Sequence, residues 1–203
     1  MSYMKKTLII VSVIIAILGI AYFFTNPAFI KKSNEEKQTP SVAADKHMDG
    51  EYIIEGKKVK LVNGFAEEKV SGSDLKMFTY YFGNELKTDL DADGAKDDIV
   101  FLITQDRGEP APGTFFYVVG AVNTDRGYVG TDGYLLGDRI APQTTEESKN
   151  PKHKNVVVVN YADRAPGESV MAWPSVGKSA YLKLDVATMK WGIVIPDFEG
   201  ESR

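Results

Sequence analysis

Asp98-Ile-Val-Phe-Leu-Ile-Thr104 and Thr114-Phe-Phe-Tyr-Val-Val-Gly-Ala-Val122, separated by a break rich in Gly and Pro, decide the fold class of this chain. Both runs are dominated by β-branched and aromatic residues, and both are bounded by turn formers within a strand's length. The same character recurs on either side. Glu51-Tyr-Ile-Ile-Glu, Lys58-Val-Lys-Leu-Val and Phe65-Ala-Glu-Glu-Lys-Val70 come first, then Met77-Phe-Thr-Tyr-Tyr-Phe82. Tyr134-Leu-Leu136, Val156-Val-Val-Val159, Ala180-Tyr-Leu-Lys-Leu184 and Trp191-Gly-Ile-Val-Ile195 follow. Asn63-Gly64 joins two of these runs and is a strong hairpin signal, because a two-residue turn that matches strand twist needs positive φ at both central positions. No window sustains a 3.6-residue apolar period, and residues 185–190 amount to a single turn of helix at most. These features predict an all-β domain, an antiparallel sandwich or barrel-like sheet.

The N-terminus has a different composition. Residues 8–24 form a 17-residue stretch interrupted only by Ser12 and Gly19, preceded by Lys5 and Lys6. As a helix it reaches roughly 25 Å, near the short end of what crosses a bilayer core. A cleaved signal peptide shares the charged start and apolar run, but this run closes on Ala21-Tyr-Phe-Phe24, with no small-residue cleavage site close behind. The expected organisation is therefore an N-terminal transmembrane anchor over residues 1–30, a flexible linker over 31–50, and a β-domain over 51–203. The linker expectation rests on a polar stretch without aromatics, which buries too little to offset ordering entropy. Lys5 and Lys6 lie closer to the apolar run than Lys31 and Lys32. This asymmetry places the N-terminus inside and predicts a single-pass protein of the cell membrane with an extracytoplasmic C-terminal domain.

Composition excludes several chemistries. The chain of 203 residues has no cysteine, which removes disulfides, a thiol nucleophile, thiolate zinc sites and a lipoprotein-type acyl anchor. Its formal charge of −4 offers no basic face for nucleic acid.

One loop carries recognisable chemistry. In Asp89-Leu-Asp-Ala-Asp-Gly-Ala-Lys-Asp-Asp98, counting Asp89 as the first position, carboxylates fall at the first, third, fifth and ninth, with Gly94 sixth. Calcium takes six to eight hard oxygen ligands, and alternate side chains folded around one ion, with glycine at the sharp turn, supply them. The helix-flanked form of such a loop closes on a bidentate Glu at the twelfth place, which here is Val100. Asp97 must then supply the last carboxylate, and strands flank the loop. Five acids in ten residues repel one another unless a cation is shared, so a structural Ca2+ is expected.

From Phe82-Gly83 through Leu102, roughly 20 residues, the chain resembles the calcium loops of FG-GAP/VCBS-type repeats, the β-hairpin loops of integrin α-like propellers and many bacterial surface proteins. The resemblance implies Asp89, Asp91, Asp93, the Ala95 carbonyl and Asp97 as ligands. The loop occurs once and no Gly-Ala-Pro follows its strand, so the chain is not a propeller. A wider pattern is similar to membrane-anchored proteins of small-genome candidate-phylum bacteria and implies no activity. It comprises residues 117–122, Leu136-Gly-Asp-Arg-Ile-Ala-Pro142 and Asn160-Tyr-Ala-Asp-Arg164.

Other motifs fail on context. Ala172-Trp-Pro-Ser-Val-Gly-Lys-Ser179 matches a relaxed phosphate loop, yet Pro174 sits inside it and a strand pattern follows where a helix N-terminus is required, so no nucleotide is expected. Ser73-Asp-Leu-Lys76, Ser148-Lys-Asn150 and Lys178-Ser-Ala180 echo penicillin-recognising enzymes, but Ser73 precedes a strand rather than opening a core helix. His47 and His153 lack the neighbours of a ligand or general base and read as solvated. Asp138-Arg139 and Asp163-Arg164 read as ion pairs. The residues thus suggest a non-enzymatic binding, adhesion or envelope module with an envelope-protein or glycan partner, offering Tyr80, Tyr81, Tyr128 and Trp173 as contact aromatics. The alternative is a cell-surface hydrolase of glycan or cell-wall material drawing on acids such as Glu109, Asp125, Asp132, Asp138 and Asp163.

Overall fold

The computed structural model describes residues 43–196 apart from 71, 73 and 109–111. The expected anchor, residues 31–42 of the linker, Ser73 and Glu109 lie outside the described residues, among which no helix is long and apolar enough to cross a membrane. The described chain is all-β and its strands pair antiparallel. In order they are β1 (Glu51–Ile54), β2 (Lys57–Lys60), β3 (Phe65–Lys69), β4 (Lys76–Thr88), β5 (Asp98–Arg107), β6 (Gly113–Thr124), β7 (Gly127–Gly130), β8 (Tyr134–Asp138), β9 (Ala141–Glu147), β10 (Val156–Asp163), β11 (Val176–Asp185) and β12 (Lys190–Ile193).

Three sheets result. The largest runs β3-β4-β5-β6-β7, with β8 sharing the outer edge of β6. A four-stranded sheet runs β12-β11-β10-β9, and β1-β2 is a separate hairpin. Glu55-Gly56 and Asn63-Gly64 both take positive φ, so β1 turns into β2, and the chain into β3, through turns that preserve strand twist.

Strand β5 explains the layering. Its Val100 and Leu102 enter one core with Phe116, Val118, Val157, Val159 and Leu182, between the large and the four-stranded sheet. Its Ile99, Phe101 and Ile103 enter another with Tyr52, Ile54, Val59 and Leu61 of the hairpin. The expected all-β, antiparallel architecture is found, and the hairpin β1-β2 adds cover on the second face of β5. An uninterrupted apolar run has no face to give to water, so both faces of β5 need cover.

Two strands lacked an apolar signature. β9 is polar and holds Pro142, which its edge position tolerates, and it is recruited by the ladder to β10. β7 is four residues long and pairs with the last residues of β6. β4 continues six residues past Phe82 because register shifts around Gly83 (φ 113) and Asn84 (φ 51) absorb a bulge. Gly177, Lys178 and Ser179 lie within β11, so the phosphate-loop lookalike leads into a strand.

Residues just before Glu51 also pack with the β-domain. Ala44 is buried and bridges Tyr128 through both backbone hydrogen bonds. The 3-10 turn His47–Asp49 follows. The His47 ring packs on Phe101 at 5.2 Å and lies 6.0 Å from both Tyr81 and Tyr128, while Nε2 stands 3.0 Å from Glu85. The reading of His47 as solvated is thereby overturned, because its ring closes the aromatic end of the hairpin core. Composition averaged over 20 residues hid these few anchoring contacts.

Candidate metal centre

The 89–98 segment links the end of β4 to the start of β5. Its carboxylates organise their own loop. Asp89 Oδ1 accepts from the Ala92 N–H and Oδ2 from that of Gly94, Asp91 from that of Asp93, and Asp93 from that of Ala95. Gly94 supplies the turn with φ +94.

Asp98 is the buried member, with 1% of its surface exposed. As the first residue of β5 it turns inward, where Oδ2 accepts from the N–H groups of Leu90 (2.7 Å) and Asp91 (3.3 Å). Its Oδ1 accepts from the Asn123 N–H of β6. Burial pushes the Asp98 carboxyl above the usual range. The hydrogen bonds from Asn123, Leu90 and Asp91 act the other way, and the Asp91 charge adds to the rise.

Oxygens of Asp89, Asp91 and Asp98 all lie within 4.8 Å of one another. Two oxygens on opposite sides of a calcium ion bonded at roughly 2.4 Å stand about 4.8 Å apart, so the triad fits one hard cation. Asp98 Oδ1 holds one hydrogen bond, so the carboxylate retains acceptor capacity. Three carboxylates without nitrogen or sulfur suit calcium or magnesium rather than a softer metal.

This grouping differs in part from the spacing-derived set. Asp89 and Asp91 come together, but Asp93 and Asp97 are not in the triad. Asp93 is turned to Ala95, and Asp97 accepts from the Asn123 side-chain amide at 2.8 Å. The backbone N–H of Ala95, whose carbonyl the spacing nominates, serves this same turn. Asp98 escapes the spacing rule because it counts as a strand residue. An acid directly abutting the apolar run 99–103 was the signal that could have found it.

The loop is also tied to the four-stranded sheet. Asn155 donates to the Asp89 carbonyl at 2.7 Å, and Thr88 to Glu147 at 2.8 Å. Lys96 reaches both Glu147 oxygens at 2.7 and 2.6 Å, which holds that carboxyl below its usual range, with Thr88 adding to the effect. The loop's single lysine is thus spent on Glu147.

Asp138, Asp163 and His153, also singled out by the sequence, have structural partners. Asp138 accepts from the Thr114 N–H and pairs with Arg139; Asp163 pairs with Lys178 and Arg164. His153 bonds the Ser148 hydroxyl and meets the Tyr181 ring edge-on. Of the contact aromatics, Trp173 is 91% exposed and Tyr80 39%, whereas Tyr81 and Tyr128 surround His47. Comparison with protein-family models, curated proteins and solved structures gives no match to this chain.

Proposed function

We propose that this chain is a membrane-anchored, extracytoplasmic β-domain, stabilised by one calcium ion in the 89–98 loop, that binds an envelope protein or glycan without catalysis. The observation that carries the reading is the convergence of Asp89, Asp91 and Asp98 within 4.8 Å, on a loop bonded to both large sheets. A cation there would offset the mutual repulsion of three carboxylates and pin the β4–β5 connection to β6 and to Asn155. Its chemistry is charge neutralisation and orientation, and the protein supplies the cage. Calcium abundance outside the cytoplasm agrees with the placement implied by Lys5, Lys6 and the apolar stretch 8–24. The exposed Trp173, with Met171 (82% exposed) two residues before it, offers a contact surface.

The test is capture from envelope fractions by the full chain in calcium and in chelator, with external protease applied to intact cells. The reading expects calcium-dependent capture, weakened by Trp173→Ala, and cleavage of the domain from outside. Equal capture in chelator, or a domain sheltered from protease, would refute it.

A further inference from the structure

At the end of β5 remote from the acidic loop, the hairpin β1-β2 overhangs the large sheet and leaves a recess of about 280 Å³. Ile54 of the hairpin, Leu75, and Met77 of β4 supply apolar walls, while Glu68, Gln105 and Arg107 supply polar groups. Here the face that carries Phe101 and Ile103 continues along β5 as Gln105 and Arg107, so an apolar core changes into a polar-floored pocket.

Of the cations that line this recess, Arg107 and Lys76 are committed to carboxylates, and Lys57 and Lys69 are exposed. Arg107 pairs with Glu55 at 2.6 Å, donates to Tyr117 and Gln105, and lies 4.1 Å over the Phe115 ring. Lys76 pairs with Glu67 at 2.6 Å. Glu68 differs from both carboxylates, for its Oε2 is buried and accepts no hydrogen bond. Burial moves its carboxyl above the usual range, opposed only through space by Lys57, which is exposed. Gln105, 2% exposed, accepts from Arg107 at Oε1 and donates to Thr79 only at 3.4 Å.

An unpaired carboxylate oxygen out of water costs free energy that a packed fold ordinarily avoids. Next to it stand apolar walls that a ligand's body would cover. An anionic ligand would bring like charge to Glu68, and the exposed lysines that could draw it remain solvated and screened. We infer that the recess takes a small primary amine with an apolar body, its ammonium set against Glu68 and its body against Ile54, Leu75 and Met77. The inference is independent of the metal loop.

The test titrates the full chain in detergent with phenethylamine, 2-phenylethanol and 3-phenylpropionate, following the Met77 methyl and Gln105 side-chain amide signals by NMR. Phenethylamine should shift both signals saturably and bind more tightly than the alcohol, with the carboxylate weakest. E68Q should lose at least roughly tenfold in affinity while melting no lower than the parent, and L75A should weaken binding with the charge intact. No saturable shift at these two signals with phenethylamine, equal affinity in E68Q, or preference for 3-phenylpropionate would each overturn the assignment. The first and third outcomes are read on the unsubstituted chain.

Discussion

The backbone N–H of Asn123 donates to Asp98 Oδ1 at 2.7 Å, joining the buried acid of the loop to the neighbouring strand β6. Asp98 therefore holds three backbone donors from two elements, whereas Asp97, one residue earlier, takes a side-chain amide from the same Asn123. Adjacent acids of equal charge thus have unequal structural weight.

Asp98→Ala would strand the Leu90, Asp91 and Asn123 N–H groups and is expected to cost on the order of 3 kcal/mol. Asp97→Ala removes a single side-chain bond and should cost about 1 kcal/mol. Urea unfolding of both variants in chelator measures the difference. Equal losses would show that Asp98 is not the tie described.

Calcium is expected to raise the melting temperature, since an ion bound only by the folded state at a hundred times its Kd contributes about 2.7 kcal/mol. Asp91→Ala combined with Asp93→Ala should abolish the rise. Asp98→Asn and Asp93→Asn separate the two ligand sets. A triad of Asp89, Asp91 and Asp98 loses its calcium response with the former and keeps most of it with the latter. A melting curve indifferent to calcium and chelator in the parent chain would end the metal reading.

The strands that were legible in the sequence are those whose side chains face a core. Residues 99–103 and 156–159 declare themselves by apolar content, and Asn63-Gly64 by its turn chemistry. β9 was not legible, since its place comes from pairing with β10, a tertiary event that polar Thr144 and Thr145 do not announce. The need for cover on both faces was written in the lack of alternation along β5, but which segment covers the second face is a matter of topology. Loop spacing located the acidic centre and Asp89 and Asp91. It could not foresee that β5 would turn Asp98 inward and leave Asp97 to Asn123.

The hairpin layer rests on a close backbone approach at Gly130. A Cβ there would stand 2.2 Å from the Glu51 carbonyl oxygen and 2.8 Å from the buried Tyr52 ring. Gly130→Ala should therefore push β1-β2 off the large sheet at a cost of about 2–3 kcal/mol. Gly177→Ala, where nothing lies within 4 Å, should be near neutral. Hydrogen exchange at Tyr52 and Val59 reads the displacement directly; unchanged protection in Gly130→Ala would contradict it.

The 2.7 Å pair of Asp163 and Lys178 joins neighbouring strands β10 and β11 and sets a pH window for stability. The lysine, followed by the Arg164 N–H, holds the Asp163 carboxyl below its usual range despite burial. A depressed acid stabilises the fold above its ordinary pKa and loses that contribution as pH falls through the folded value. Asp163 in turn raises Lys178, and a raised base stabilises below its ordinary pKa and loses this as pH climbs through the folded value. The pair therefore acts between the ordinary carboxylate and ammonium ranges and is silent beyond both. Lys178→Met should melt lower than the parent at neutral pH, with the gap closing in acid as Asp163 protonates. The exposed setting of Lys178 and solvent screening keep the gap small, and added salt should narrow it further. A gap that persists unchanged below the carboxylate range would assign the loss to packing of the lysine stem rather than to charge.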